Sequence, residues 1–211
     1  MKTVFFTTLT FTLAFSLFAQ ATPQRDALVL YRQGDFNGSV TITLEEIQAT
    51  PENMDSYVVL GWSLLRLGRY KEAQDYAERA TKIRRYDHRV LEILGEAHYY
   101  QGRLTEALKW FEEYANLAPQ GDRISLVYYF MGEAYIQMGE FNHADIALST
   151  AVYLAPNTAK WWERLGYARM QAKDYRYARI AYDQALRLNP DLTESVSARR
   201  KLEQLGGATP Q

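Results

Sequence analysis

The stretch YVVLGWSLLRLGRY, Tyr57 to Tyr70, has the apolar spacing of a helix, yet it holds Gly61 in its middle and Gly68 near its end. A glycine inside a helix costs about 1 kcal/mol relative to alanine, so two so close together imply a geometric use for each.

Outward from this stretch the glycines define a period. Glycines preceded by Leu or Met recur at Gly61, Gly95, Gly132 and Gly166, with spacings of 34, 37 and 34. A second set, Gly34, Gly68, Gly102 and Gly139, is spaced 34, 34 and 37, with Lys173 in the following slot. Ala73, Ala107, Ala144 and Ala178 fall in step, as do Pro51, Pro119, Pro156 and Pro190, with Arg85 in the slot that lacks proline. Self-similarity at a fixed period is the mark of a stacked repeat architecture. The reading is five repeats, residues 22–53, 54–87, 88–121, 125–158 and 159–190, with Asp122 to Ile124 as a three-residue insertion.

The pattern W-x2-L-G-x2-Y, then A-x3-F, then P is met by WERLGYAR from Trp162, by YFMGEAY with Tyr128 before it, by ALKWF from Ala107 to Phe111, and by the periodic prolines. On these motifs nearly the whole chain beyond residue 21 resembles the tetratricopeptide repeat. The resemblance implies an all-α fold, a right-handed superhelical solenoid of helix-turn-helix units. In each unit the internal glycine would let two antiparallel helices approach, while Gly68 would end the first helix in a left-handed conformation. Repeat one departs from the pattern, with Ala27 for the glycine and Ser39 for the alanine, and reads as the N-terminal cap. Residues 191–205, DLTESVSARRKLEQL, alternate apolar and charged residues at helical spacing and read as a C-terminal capping helix; 206–211 read as a disordered tail.

Residues 1–21 read as a secretory signal peptide: Lys2, an apolar run from Val4 to Phe18, and Ala19-Gln20-Ala21 as the cleavage site. The run is short for a membrane span, so no span is expected after cleavage. The expected location is the periplasm or the medium. The 211 residues contain no cysteine, hence neither disulfides nor a lipid anchor on an acylated cysteine, and stability must come from a hydrophobic core. A formal net charge of −1 gives no electrostatic reason to expect nucleic acid as a partner.

A catalytic reading fails on inventory. His88, His98 and His143 sit at different places in different repeats, and no HExxH, GxSxG or GxxxxGK[ST] spacing occurs. No cofactor and no metal are expected. His98 stands where the repeat usually places an aromatic residue and reads as a hydrogen-bonded interior histidine.

The resemblance places the second, fifth, ninth, twelfth and thirteenth residues of each repeat on the concave surface, where such proteins hold extended peptides or helices. The candidate groove residues are Trp62 and Arg66, Glu92, Glu96, Tyr99 and Tyr100, Tyr129 and Glu133, and Glu163 and Tyr167. Tyr-rich surfaces give contact area at low entropic cost, and the row of glutamates suggests a partner carrying Lys or Arg. The lysines and asparagines that the family uses to clamp a C-terminal carboxylate are absent from these places. Tyr70, Tyr135, Tyr175 and Tyr182 are expected in the core, and Trp110 and Trp161 fall outside the groove register. Repeat four carries no Lys or Arg, whereas repeat five carries seven basic residues against three acidic ones.

The leading expectation is a non-enzymatic adaptor of the bacterial cell envelope that binds a protein partner. The alternative is a self-assembling structural protein, forming dimers or end-to-end arrays, motivated by the weak first repeat and the charge asymmetry of repeats four and five.

Overall fold

A computed structural model describes residues 26–206; the signal-peptide reading and most of the tail lie outside the described residues. Helices alternate along the chain without a strand among these residues. The first helices of the repeats are α1 (Ala27–Gln33), α3 (Met54–Arg66), α5 (His88–Tyr100), α7 (Ile124–Met138) and α9 (Ala159–Gln171). The second helices are α2 (Phe36–Ala49), α4 (Tyr70–Ile83), α6 (Leu104–Leu117), α8 (Phe141–Leu154) and α10 (Tyr175–Leu188), and α11 (Thr193–Gly206) closes the array.

The turn inside each unit is built the same way five times. Gly68 adopts φ +73°, its N–H donates to the Leu65 carbonyl at 3.1 Å, and the Arg69 N–H donates to the Leu64 carbonyl at 2.9 Å. This is a Schellman ending, in which a left-handed residue reverses the chain. Gly34, Gly102 and Gly139 repeat it, and Lys173, at φ 64°, holds the same conformation with a side chain. Aspartates then cap some of the helices: Asp35 accepts from the Gly38 N–H at 2.9 Å, and Asp87 accepts from the Arg89 N–H at 3.1 Å.

The core lies between the two helix layers. Leu60, Ile93 and Leu94 of the first helices are fully buried, and the second helices contribute Phe111 and Leu148 together with small residues such as Ala73, Ala80, Ala107, Ala144 and Ala178. Gly61 does not work as the periodicity suggests. A Cβ there would lie 2.7 Å from Ile93 of α5, in the next repeat, rather than against its own second helix. The reason is in the register. The glycines of repeats three to five face Phe111, Leu148 and Tyr182 of their own second helices, whereas the corresponding residue in repeat two is Ala77, and Ile93 fills the space.

Consecutive first helices touch one another, α1 on α3, α3 on α5, α5 on α7, α7 on α9 and α9 on α11. Among the described residues no second helix touches another second helix. The array therefore curves with the first helices inside and the second helices outside, an all-α solenoid whose units bury their apolar faces only by stacking. The insertion is absorbed at the start of α7, which has 15 residues where α3, α5 and α9 have 13, and Ile124 joins the core.

Candidate partner-binding groove

The concave face carries a row of carboxylates, but they are not presented to a partner. Glu92 on α5 is fully buried, Glu163 on α9 nearly so, and Glu96 and Glu133 are buried as well. Each is held by a residue of a neighbouring repeat or of the cap. Glu92 accepts from Nε of Arg123 and, at 3.3 Å, from the Trp62 indole N–H; Glu96 accepts from Nη2 of Arg123 at 3.3 Å. Glu133 accepts both forks of Arg164 at 2.6 and 2.9 Å. Glu163 accepts from the Ser195 hydroxyl of α11 at 2.7 Å and is paired with Lys160. Buried carboxylates need partners, and here the stacking of repeats supplies them.

Arg123 comes from the insertion. It enters the concave face, answers two carboxylates, and lies over the Trp62 ring at 5.5 Å, with Tyr31 of α1 6.0 Å from the same ring. Burial, and then the adjoining Glu92, push the Glu96 carboxyl well above the ordinary range, with Arg123 opposing the shift. Burial acts against the Arg123 charge, yet the carboxylates hold its pKa above the usual value.

Rings packed over the buried Phe130 form the accessible part of the groove. Tyr100, exposed, stacks on Tyr70 at 4.6 Å and meets Tyr99 edge-on at 5.2 Å. Phe130 bridges Tyr99, Tyr100 and Tyr129, and Tyr129 stacks on Trp161 at 5.0 Å. Tyr167 lies under the Arg164 guanidinium at 5.0 Å and lines a cleft of about 400 Å³ with Glu163, Met170, Tyr182 and Lys201. Tyr99 accepts from the Gln137 amide at 2.7 Å. The Tyr100 phenol is pushed up to about 12 by burial and then by the Glu96 charge. Arg66 is exposed beside this row, its guanidinium 5.5 Å from the Phe36 ring.

Several expectations are corrected. Val58 and Leu65, at groove positions of repeat two, are buried core. Trp161 belongs to the aromatic row, and Trp110 packs half-buried against core residues of repeats two, three and four. Tyr175 is exposed rather than core, because the helix after its repeat is α11, which contains no aromatic residue to stack on it as Tyr100 stacks on Tyr70. His98 is buried, but its Nδ1 has no hydrogen-bond partner among the described residues; burial, and then the Arg103 charge, lower its pKa. Part of the charge asymmetry of repeats four and five is met inside the chain: Arg164 pairs with Glu133, and Arg169 pairs with Asp145 at 2.8 Å. Among the described residues no three His, Asp or Glu side chains come together as a metal site, and no helix is long and apolar enough to cross a membrane.

This curved stack of helix pairs with a ringed inner face has matches of known kind. Sequence profiles of the tetratricopeptide repeat match residues 26–88, 58–122, 126–158 and 159–192, and the chain belongs to the tetratricopeptide repeat family. No curated protein sequence matches it. Solved structures resemble it in fold. One is a chain of the APC/C hetero-tetramer Cut9–Hcn1, at TM-score 0.75 and 17% identity over 83% of this chain, which spans only 35% of that one. MamA from Desulfovibrio magneticus RS-1 gives TM-score 0.68 and 20% identity, covering 79% of this chain and 93% of that chain. YrrB, described as a repeat protein with an unusual peptide-binding site, gives 0.66 and 16%, covering 82% and 88%.

Proposed function

We propose that this protein is a non-enzymatic interaction scaffold of the cell envelope, which holds a protein segment, an extended peptide or a helix, against the ringed inner face of the array. The observation that carries the reading is the aromatic row Tyr70, Tyr100, Tyr99, Tyr129 and Trp161, joined through the buried Phe130 and spanning four repeats on the side where first helices meet. Clustered, partly exposed rings give a docking surface that immobilises few side-chain torsions. The peptide-binding site described for YrrB, a protein of the same fold, supports it. Export rests on Lys2, the apolar run Val4 to Phe18 and the Ala19-Gln20-Ala21 site.

Because the four glutamates are internally paired, the partner is selected chiefly by apolar and aromatic complementarity, with Arg66, Gln137 and Gln171 as polar contacts at the edge. The test is a crosslinking capture from the native envelope with the wild-type chain and a Tyr99→Ala, Tyr100→Ala, Tyr129→Ala variant. One protein recovered by the wild type and lost from the helical, folded variant supports the reading. Equal recovery by both contradicts it.

A further inference from the structure

The outer helices differ in one respect that the groove does not explain. Helix α4 carries six charged residues, and α6 and α10 carry four each, whereas α8 carries only Asp145, which is already paired with Arg169. In place of charge, α8 presents Ile146 at 68% exposure and Tyr153 at 83%, seven residues apart and so on one face. Tyr153 also borders a cleft of about 400 Å³ lined by Val152, Pro156, Trp162 and Leu165. A projecting ring beside an apolar cleft is self-complementary about a two-fold axis, since each copy offers what the other accepts.

We propose that the outer face of α8 is the seam of a homodimer of this chain. The flanking helices fix the orientation. On one side α6 presents Glu106, Glu112 and Glu113 with Lys109 among them; on the other α10 presents Arg176, Arg179 and Arg187, and its Asp183 is taken up by Arg199. A two-fold axis parallel to α8 brings α6 of each copy towards α10 of the other, opposite charges together. An axis across α8 would set α6 against α6 and α10 against α10. The same pattern disfavours an anionic bilayer as the occupant, since it would repel α6 and find no cation on α8. The seam is modest: α8 is about 21 Å long, and a strip about 20 Å wide along it is roughly 400 Å², half the about 800 Å² per partner of stable complexes. The dimer is accordingly reversible and concentration-dependent. It lies opposite the groove and does not depend on the function proposed for it.

Sedimentation velocity of the purified chain from about 1 to about 300 µM tests this. The wild type is expected to pass from monomer to dimer. Ile146→Lys with Tyr153→Lys, both at exposed positions, should remain monomeric with an unchanged circular dichroism spectrum. Glu106→Arg with Glu112→Arg should weaken dimerisation by about tenfold, and adding Arg176→Glu with Arg179→Glu should restore it. A wild type that stays monomeric, or that pellets with anionic vesicles as a monomer, overturns the proposal. So does a dimer unaffected by the α8 pair, and so does a charge reversal that the compensating pair fails to rescue.

Discussion

The two halves of the concave face solve the same electrostatic problem with different economy. In the C-terminal half, Glu133 meets both forks of Arg164, one carboxylate to one guanidinium. In the N-terminal half, Glu92 and Glu96 share a single guanidinium, Arg123, whose contact with Glu96 is the longer one at 3.3 Å. The first arrangement is balanced and bidentate, the geometry in which a buried pair best offsets its desolvation. The second is short of positive charge, and burial and then the adjoining Glu92 push the Glu96 carboxyl well above the ordinary range. The comparison teaches that glutamates on an inner face can be structural ties between repeats, and that their burial decides the matter.

The largest expected effect breaks the N-terminal tie. Arg123→Ala leaves two buried carboxylates without a cation and should lower stability by about 3–5 kcal/mol, read as a fall in denaturation midpoint at constant m-value. Arg164→Ala strands only Glu133 and should cost less, about 2–3 kcal/mol. If the two losses came out reversed in size, the contrast between the halves would fail.

A third change sharpens the contrast through pH. Because the folded pKa of Glu96 lies above its ordinary value near 4.5, its favourable contribution is complete below that value and is lost as pH rises through the folded pKa. Glu96→Gln removes the loss. It should stabilise the chain at pH 7, give nothing at pH 4, and flatten the intervening profile. Equal effects at both pH values would show that folding leaves the Glu96 pKa unshifted.

The smallest effect concerns the turns. Lys173 adopts in repeat five the left-handed conformation that glycine adopts in the other four, so Lys173→Gly should stabilise by about 1 kcal/mol. Thermal unfolding of the variant measures it, and a destabilised variant would count against strain at that turn.

The fold was legible because periodic glycines report on backbone geometry, which the sequence expresses locally. The slots of Gly68 and Lys173 were correctly placed at the first-helix endings. Gly61 was correctly read as a close approach, but its neighbour could not be read, since that depends on the coincidence of Ala77 with a long Ile93 in the next repeat. Register brings Tyr99, Tyr100 and Tyr129 to one face, but it assigns Tyr70 to the core, puts Trp161 outside the groove and passes over Phe130, because ring-to-ring packing between repeats is not part of the repeat count. The glutamates were found too, but register says nothing of burial, and burial turns an acidic lure into a tie. Arg123 was missed because insertions fall outside the repeat count. A signal did exist, in that the insertion supplies a cation next in sequence to a repeat with two inward glutamates. Two of the cations that repeat four lacks are supplied by repeat five, Arg164 to Glu133 and Arg169 to Asp145, which register alone does not show.

The central claim is that the inner carboxylates bind repeat to repeat, and the measurement that addresses it most directly is a double-mutant cycle on Glu92→Gln and Arg123→Met by equilibrium denaturation. The account predicts a coupling energy of about 2 kcal/mol or more, because each single change strands a buried group that the double change does not. Additive losses, with coupling near zero, would contradict it and return Glu92 to the role of an acidic contact for a partner.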